Sequence, residues 1–336
     1  MAPGEALTSL APCDFGEAVV WSHNLRVMGR DVRQAAAALR RGALVALPTE
    51  TVYGLAADAT NAEAVARIFA VKGRPADHPL IVHVATAAEV DEWAASIPPF
   101  ARLLAAAYWP GPLTLIVDRQ PHVLDIVTGG QATVGLRVPA HPMTREVLRL
   151  LGTGVAAPSA NRFGRVSPTT IEHVQADVGA YLGHDDYLLD GGPCEVGVES
   201  TIVDCTGPAP RLLRAGAITV DMIEQTTGLT VLETDGRIRA SGTLASHYAP
   251  QAKVHVVDAG APLLLAGAGL IAEEAVATPP GMVRLLDAAD LGAYARDVYA
   301  ALRRSDELGL TDVVAVLPHD VGLGTAIRDR LQRAAH

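Results

Sequence analysis

A clear pattern of apolar and polar positions begins at Asp31. DVRQAAAALRRG predicts a helix, with Asp31 as its N-cap and Gly42 just past its end. ALVALP follows as a strand. NAEAVARIFAVKG is a helix opened by Asn61, with Val65, Ile68 and Phe69 on one face. PLIVHVA predicts a buried strand, and TAAEVDEWAA opens on a capping box of Thr86 and Glu89. PLTLIVDR and TVGLRVP are strands, PMTREVLRLLG a helix, VAAP a short buried strand. A further helix follows, with Pro168 placed at its start. DYLLDGG, ESTIVDC and RLLRAG are strands, and ITVDMIEQTTG is a helix. Strands and helices alternate, with some strand pairs, so an α/β fold is expected: a twisted mixed sheet flanked by helices.

Two stretches break this pattern. Residues 1–30 show no period and read as an N-terminal extension. Residues 233–252 are polar and aperiodic and read as a linker, leaving 31–232 as the main domain. Beyond the linker, KVHVVD, PLLLAG and DVVAVLP predict strands, and DLGAYARDVYAALRRSDELG and GTAIRDRLQRAA helices. Residues 253–336 therefore form a small α/β domain. GLGTAI near residue 322 lacks a third placed glycine and a following strand with an acidic end, so it reads as ordinary helix entry.

Composition narrows the class. At 336 residues, with 49% hydrophobic and 19% charged, the chain is a globular protein long enough for two domains. No apolar run reaches a membrane span, and the first residues carry acids without early Lys or Arg, so neither a membrane segment nor a targeting peptide is expected. Cys13, Cys194 and Cys205 are far apart, which argues against a disulfide framework or a zinc site and fits a cytoplasmic protein. A net charge of −10 disfavours a general nucleic-acid coat but leaves room for a local basic pocket.

Candidate chemistry gathers at strand ends, where open α/β sheets hold ligands. LPTETVYGL places Thr49, Glu50, Thr51 and Tyr53 directly behind a strand: a ligand edge, or a polar cap on a core element. Lys72 and Arg74, flanking Gly73, would repel each other unless an anion sits between them, although a cation also suits a helix end. His78 reads as a turn residue, and His83, inside LIVHV, as a core histidine or a ligand. Ser159 and Asn161 follow a strand, with Gly164, Arg165 and Ser167 in the same loop. Such groups suit phosphate and ribose oxygens, or simply cap the loop. No G-x-S-x-G surrounds Ser159, so it is not read as a hydrolase nucleophile. Arg137, between apolar neighbours, needs an internal acid or a bound carboxylate. Ser200, Thr201 and Arg214 complete a set of cations interleaved with hydroxyls.

PTETVYGL, KGRPADHPLIVHV, WPGPLT, GLRVPAHP, APSAN, SPT and GVESTIVD resemble, in order and spacing, the YrdC-type domain of L-threonylcarbamoyl-AMP synthases. The match runs from about Asp31 to Gly216, and SHYAP with the trailing α/β unit resembles the long two-domain form, whose last domain is Rossmann-like. The resemblance implies a nucleotidyltransferase that makes threonylcarbamoyl-AMP and pyrophosphate from L-threonine, bicarbonate and ATP. The product would pass to a complex that transfers threonylcarbamoyl to tRNA. Thr51, His83, Arg137 and Ser200 match the threonine-binding positions. Lys72, Arg74, Ser159 and Asn161 match the polar tetrad around the reacting groups. His78, Thr133, Ala157, Ser167 and Arg214, together with Arg74 and Asn161, match nucleotide contacts, and Tyr248 the linker residue that closes over the nucleotide. Mg²⁺ is expected to ride on ATP phosphates and water, with no protein metal site.

One departure stands out. Where the family linker reads close to PGMKYRHYAP, this chain has SGTLASHYAP. Leu244, Ala245 and Ser246 replace basic and aromatic residues, so closure is expected to rest on backbone contacts and Tyr248. Two other functions compete: a double-stranded-RNA-binding module, with weak RNA contact at a concave basic face, and a carbamoyl-adenylate step of a carbamoyltransferase.

Overall fold

The structure, a computed structural model, describes residues 19–20, 27–242, 248–262 and 265–336. The strands of the first sheet are β1 Val19–Val20, β2 Val27–Gly29, β3 Val45–Leu47, β4 Gly54–Asp58, β5 Ile81–His83, β6 Leu113–Asp118, β7 Thr133–Arg137, β8 Val155–Ala156, β9 Tyr187–Leu189, β10 Thr201–Asp204 and β11 Arg211–Arg214. They form one sheet in the order β1-β2-β9-β3-β4-β8-β5-β7-β6-β10-β11. The sheet is mixed: β5 runs parallel to β7, and β10 to β6, while β8 lies antiparallel to both β4 and β5. Most of the first 30 residues lie outside the described part, but β2 pairs in parallel with β9 and so extends the sheet edge.

Local signals set the first helices. α1, Val32–Arg40, starts where the Asp31 carboxylate accepts from the N–H groups of Arg33 and Gln34. α2, Ala62–Lys72, is capped by Asn61 in the same way and ends on Gly73 in the left-handed conformation. α3 is Pro99–Tyr108, α4 the single turn Asp125–Thr128, α5 Pro142–Leu151, α6 Ile171–Val178 and α7 Val220–Thr227. Alternate strand residues serve opposite faces. Leu44 and Ala46 join a core with Val65, Ile68, Phe100 and Val174. Val45 and Leu47 join another with Leu39, Val147 and Leu148. The sheet is thus covered by helices on both sides.

The second sheet holds β12 Lys253–Asp258, β13 Gly269–Glu273, β14 Val283–Ala288 and β15 Asp312–Leu317, all parallel, in the order β12-β15-β13-β14. Its helices, α8 Leu291–Glu307 and α9 Leu323–Ala334, pack on one face over Ile271, Val313 and Ala315. The other face carries a small cluster of Leu270, Ala272, Val314 and Val316 under Val276 and Met282.

Several expectations need correction. α3, β4, β13 and β14 were not foreseen. PLLLAG supplies no strand among its described residues; the chain pairs from Gly269 instead, where GLIAE inserts between β14 and β15. Pro168 does not open α6, which is capped by the Thr170 hydroxyl and begins at Ile171. The Thr86–Glu89 box opens a 3₁₀ turn, with Glu89 accepting from the Thr86 hydroxyl and the Ala85 N–H. Residues 243–247 of the linker, including Leu244, Ala245 and Ser246, lie outside the described residues. Among the described residues no helix is long and apolar enough to cross a membrane.

Candidate active site

A cleft opens where the ends of β3, β5, β7 and β8 meet the residues leading into β10. Of the residues singled out in the sequence, Thr51, Arg74, His83, Arg137, Ala157, Ser159, Ser200, Arg214 and Tyr248 line it. Thr49, named with Thr51 in the same strand-end stretch, lines it too, while Glu199, Ser241 and Gly242 line it without having been selected.

One end of the cleft is built within the first sheet. Arg137, at the close of β7, donates through Nη2 to Glu50 Oε1 at 2.7 Å and to Thr51 Oγ1 at 2.9 Å. The buried arginine therefore has its internal acid, and Glu50 is held in turn by the Ala140 N–H at 3.0 Å. Thr49 and Thr51 share a hydroxyl hydrogen bond of 2.9 Å, and Thr49 donates to the Val52 carbonyl, so the turn after β3 is tied by its own side chains. Tyr53 turns away and donates to the Gly192 carbonyl. His83 is buried, with Nδ1 at 3.2 Å from the Ile81 carbonyl. A carbonyl only accepts, so Nδ1 carries the proton and Nε2 is an acceptor. Burial, helped by Arg137, pushes the imidazole pKa down to about 3, so the ring is neutral.

The other end gathers cations. Arg74, just past α2, donates through Nη2 to the Pro79 carbonyl at 3.0 Å and the Ser241 hydroxyl at 3.1 Å, while its buried Nε–H has no hydrogen-bond partner. Burial lowers its pKa to about 10, which leaves the guanidinium charged at neutral pH. Arg214 donates to the Ser200 carbonyl and hydroxyl, each at 3.0 Å, and to the Ser241 carbonyl at 2.9 Å. Ser200 Oγ also meets Thr114 Oγ1 at 2.8 Å. Arg74 and Arg214 line the same cleft, and two guanidinium groups so placed, one with a buried N–H that has no partner, fit an anion.

Five expected residues stand behind the cleft wall. Lys72 points its ammonium at the main-chain carbonyls of Ser159, at 2.6 Å, and of Asn161. Burial, then Arg74, lowers its pKa well below the usual lysine value. Asn161 spends its amide on the carbonyls of Arg162 and Arg165. Lys72 and Asn161 thus hold the loop that presents Ser159. Ser167 donates to Glu199 Oε1 at 2.6 Å. His78 packs edge-on against Phe163, 5.5 Å between ring centres. Thr133 lines a neighbouring crevice with Gln131 and Arg239.

The linker crosses the cationic end. Arg239 N–H donates to Gln131 Oε1, and Gln131 returns a bond to the Arg239 carbonyl. Gly242 follows at φ +78°, where a Cβ would collide with the Tyr248 hydroxyl and crowd Arg214. Tyr248 is buried with φ 65°, and its ring stacks on Tyr299 of α8 at 5.5 Å. Among the described residues no group of three or more His, Cys, Asp or Glu is placed to hold a metal; Glu199, which lines the cleft, accepts from Ser167, Tyr299 and Arg330, and Glu50 behind it accepts from Arg137.

Comparison with known proteins gives this cleft a lineage. The Sua5/YciO/YrdC family, described as telomere recombination, matches residues 37–216. The family described as threonylcarbamoyl-AMP synthase, C-terminal domain, matches residues 218–336. The chain is 37% identical to the threonylcarbamoyl-AMP synthase of Pyrococcus abyssi over 325 residues, covering 90% of this chain and 94% of that protein. The chain belongs to the threonylcarbamoyl-AMP synthase family. The Bacillus subtilis synthase is also 37% identical, over 324 residues, 90% of this chain and 92% of its own. The solved structure of Pyrococcus abyssi Sua5 complexed with L-threonine superposes with a TM-score of 0.82 at 36% identity, covering 90% of this chain and 94% of that one. The family and the two-part fold expected from the motifs therefore stand, and the protein is an enzyme of the nucleotidyltransferase type that forms threonylcarbamoyl-AMP.

Proposed function

We propose that the cleft takes L-threonine at its Arg137 end and ATP at its Arg74 end. The two are joined through bicarbonate into threonylcarbamoyl-AMP and pyrophosphate. The observation that carries this reading is the pairing of contrasting ends: one cation neutralised by Glu50, and one whose buried Nε–H has no partner.

At the threonine end, Arg137 and Thr51 face the substrate carboxylate, Ser200 offers its hydroxyl, and His83 Nε2 accepts from the hydroxyl or amino group. The amino nitrogen, as its carbamate, brings an anionic oxygen toward the α-phosphate. An anion attacking a polyanion needs charge neutralisation more than a protein nucleophile, and Arg74 and Arg214 supply it. Ser159 is aimed from the loop that Lys72 and Asn161 hold. Lys72 acts by shaping that loop, because its ammonium is spent on two carbonyls. Ala157, Ser167, His78 and Thr133 shape the nucleotide's surroundings, and Tyr248 closes over it. Mg²⁺ would lower the phosphate charge while held by ATP and water; no carboxylate cage is placed for it among the described residues. The product goes to a tRNA-modifying transfer complex in the cytoplasm.

The test is pyrophosphate release by the purified protein, with products identified by mass. Release should need ATP, L-threonine and bicarbonate together. Release with carbamoyl phosphate and no threonine would instead favour carbamoyltransferase chemistry.

A further inference from the structure

We infer that Arg330, on the last helix of the second domain, is a positioning residue for the nucleotide end of the cleft. This rests on the ATP reading above. In α9 the buried positions Ala326, Ile327, Leu331 and Ala334 form a stripe that faces the second sheet, and Arg330 sits within it, fully buried. A guanidinium there needs partners: Asp329, beside it in α9, accepts from Nη1, and the other two hydrogen-bond partners lie in the first domain. Nε donates to Glu199 Oε2 at 2.8 Å, and Nη2 to the carbonyl of Ala215, the residue after Arg214, at 2.9 Å. Its Cζ sits 5.4 Å from the centre of the Tyr248 ring. Tyr299 of α8 supports the same two residues: its hydroxyl donates to Glu199 Oε2 at 2.8 Å and its ring stacks on Tyr248.

Glu199 and Tyr248 line the cleft; Arg330 and Tyr299 do not. Arg330 therefore acts through other residues. By holding Glu199 it fixes the acceptor of Ser167. By gripping the Ala215 carbonyl it fixes the end of β11, from which Arg214 reaches Ser200 and Ser241. By lying against the Tyr248 ring it sets how the linker meets the cleft. Glu199 faces Arg330 from α9, Arg214 from β11, Tyr299 from α8, Tyr248 from the linker and Ser167 from the loop before α6. Burial pushes its carboxyl pKa up, but Arg330 and Arg214 outweigh this and hold it at about 2. The contact is also close-fitting in backbone: Gly197, at φ +80°, packs so near Ala295 and Arg296 of α8 that a Cβ would overlap them. The second domain thus serves as a template for one wall of the cleft.

The experiment uses the full chain as wild type, Arg330→Met, Arg330→Lys and Tyr299→Phe. It measures melting temperature, binding of a non-hydrolysable ATP analogue, and steady-state kcat and KM for ATP and L-threonine. A positioning role predicts that KM for ATP rises roughly ten- to hundredfold in Arg330→Met while KM for threonine stays within about twofold. Arg330→Lys keeps the charge beside Glu199 but cannot also fork to Ala215, so it should recover melting temperature more than ATP affinity. Tyr299→Phe removes one hydroxyl, keeps the ring stack, and should raise KM for ATP a few-fold, about threefold or more; it carries the test if Arg330→Met does not fold. A fall in kcat that tracks the folded fraction, with both KM values unchanged, would leave Arg330 a purely structural residue and overturn the inference. A wild type that binds no ATP analogue would instead sink the ATP reading itself.

Discussion

The two ends of the cleft are built on different plans. The end proposed for threonine is built within one sheet: Thr49, Glu50, Thr51, His83 and Arg137 come from the ends of β3, β5 and β7, and its one arginine is already matched by Glu50. The end proposed for the nucleotide is assembled from far-apart pieces: Arg74 after α2, Arg214 on β11, Ser241 and Tyr248 from the linker, and Glu199 held from α8 and α9. The first needs its substrate only to fill a finished pocket. The second leaves a buried Nε–H unmatched and depends on a domain none of whose described residues lines the cleft. The lesson is that a site can be part rigid receptacle and part assembly, and that the two parts should fail independently.

The sharpest way to break the contrast is Arg74→Ala. Removing a preorganised cation from the phosphate end should lower kcat by roughly 10²- to 10³-fold, with threonine affinity nearly unchanged. Pre-steady-state pyrophosphate release and threonine titration would check both halves, and wild-type turnover in a folded Arg74→Ala protein would remove it from the chemistry.

Arg137→Ala probes the other end. It strands a buried Glu50, so about 3–5 kcal/mol of stability should go, together with threonine affinity. Arg137→Ala/Glu50→Gln should recover much of the melting temperature without recovering the affinity, as thermal melts and calorimetry would show. Recovery of both would mean that Arg137 only balances Glu50.

Gly242→Ala acts where the linker passes Tyr248 and Arg214. A left-handed backbone and a blocked Cβ position predict about a tenfold loss of ATP affinity and little change for threonine. Equal losses at both ends would contradict the proposed division.

The smallest effect concerns pH. His83 is held near pKa 3 in the fold, against 6.5 in its absence. Threonine affinity should therefore show no histidine titration between pH 5 and 8. Stability should run the other way: the folded state resists the proton that the unfolded chain takes up, so the His83 contribution is full above about pH 6.5 and is lost as pH falls toward 3. Melting temperature against pH in wild type and His83→Gln would reveal the difference.

How much of this was legible in the sequence follows the same line. Asp31 and Asn61 announced α1 and α2 because a cap acts within three residues. The ordered motifs located Thr51, Arg74, His83, Arg137, Ser159 and Arg214, because each lies at a strand or helix end. Lys72 was legible as a cation beside Arg74, but its burial and direction were not: the carbonyls it meets belong to Ser159 and Asn161, 87 and 89 residues away. Arg330 left a signal that went unread, a guanidinium in an apolar helix stripe, yet its partner Glu199 is 131 residues distant. β13 and β14 were hidden because GLIAE and VRLLDA alternate weakly between Gly- and Pro-rich stretches, while the apolar run PLLLA drew the strand one segment too early. A first domain separated from the second would meet an obstacle. Val52, Val166 and Val198 pack into the core of the second domain, so cutting the chain would expose them and strip Glu199 of Arg330. Point substitutions test the contrast more cleanly than truncation.

The most direct measurement is a pair of calorimetric titrations on the full-length Tyr248→Ala protein, one with L-threonine and one with a non-hydrolysable ATP analogue. Tyr248 is the piece of the nucleotide end that both the linker and the second domain hold in place. The account predicts that threonine binds within about twofold of wild type while the ATP analogue binds at least about tenfold more weakly, the loss expected when a packed aromatic lid is removed. Unchanged ATP binding, or a parallel loss of both ligands, would contradict it.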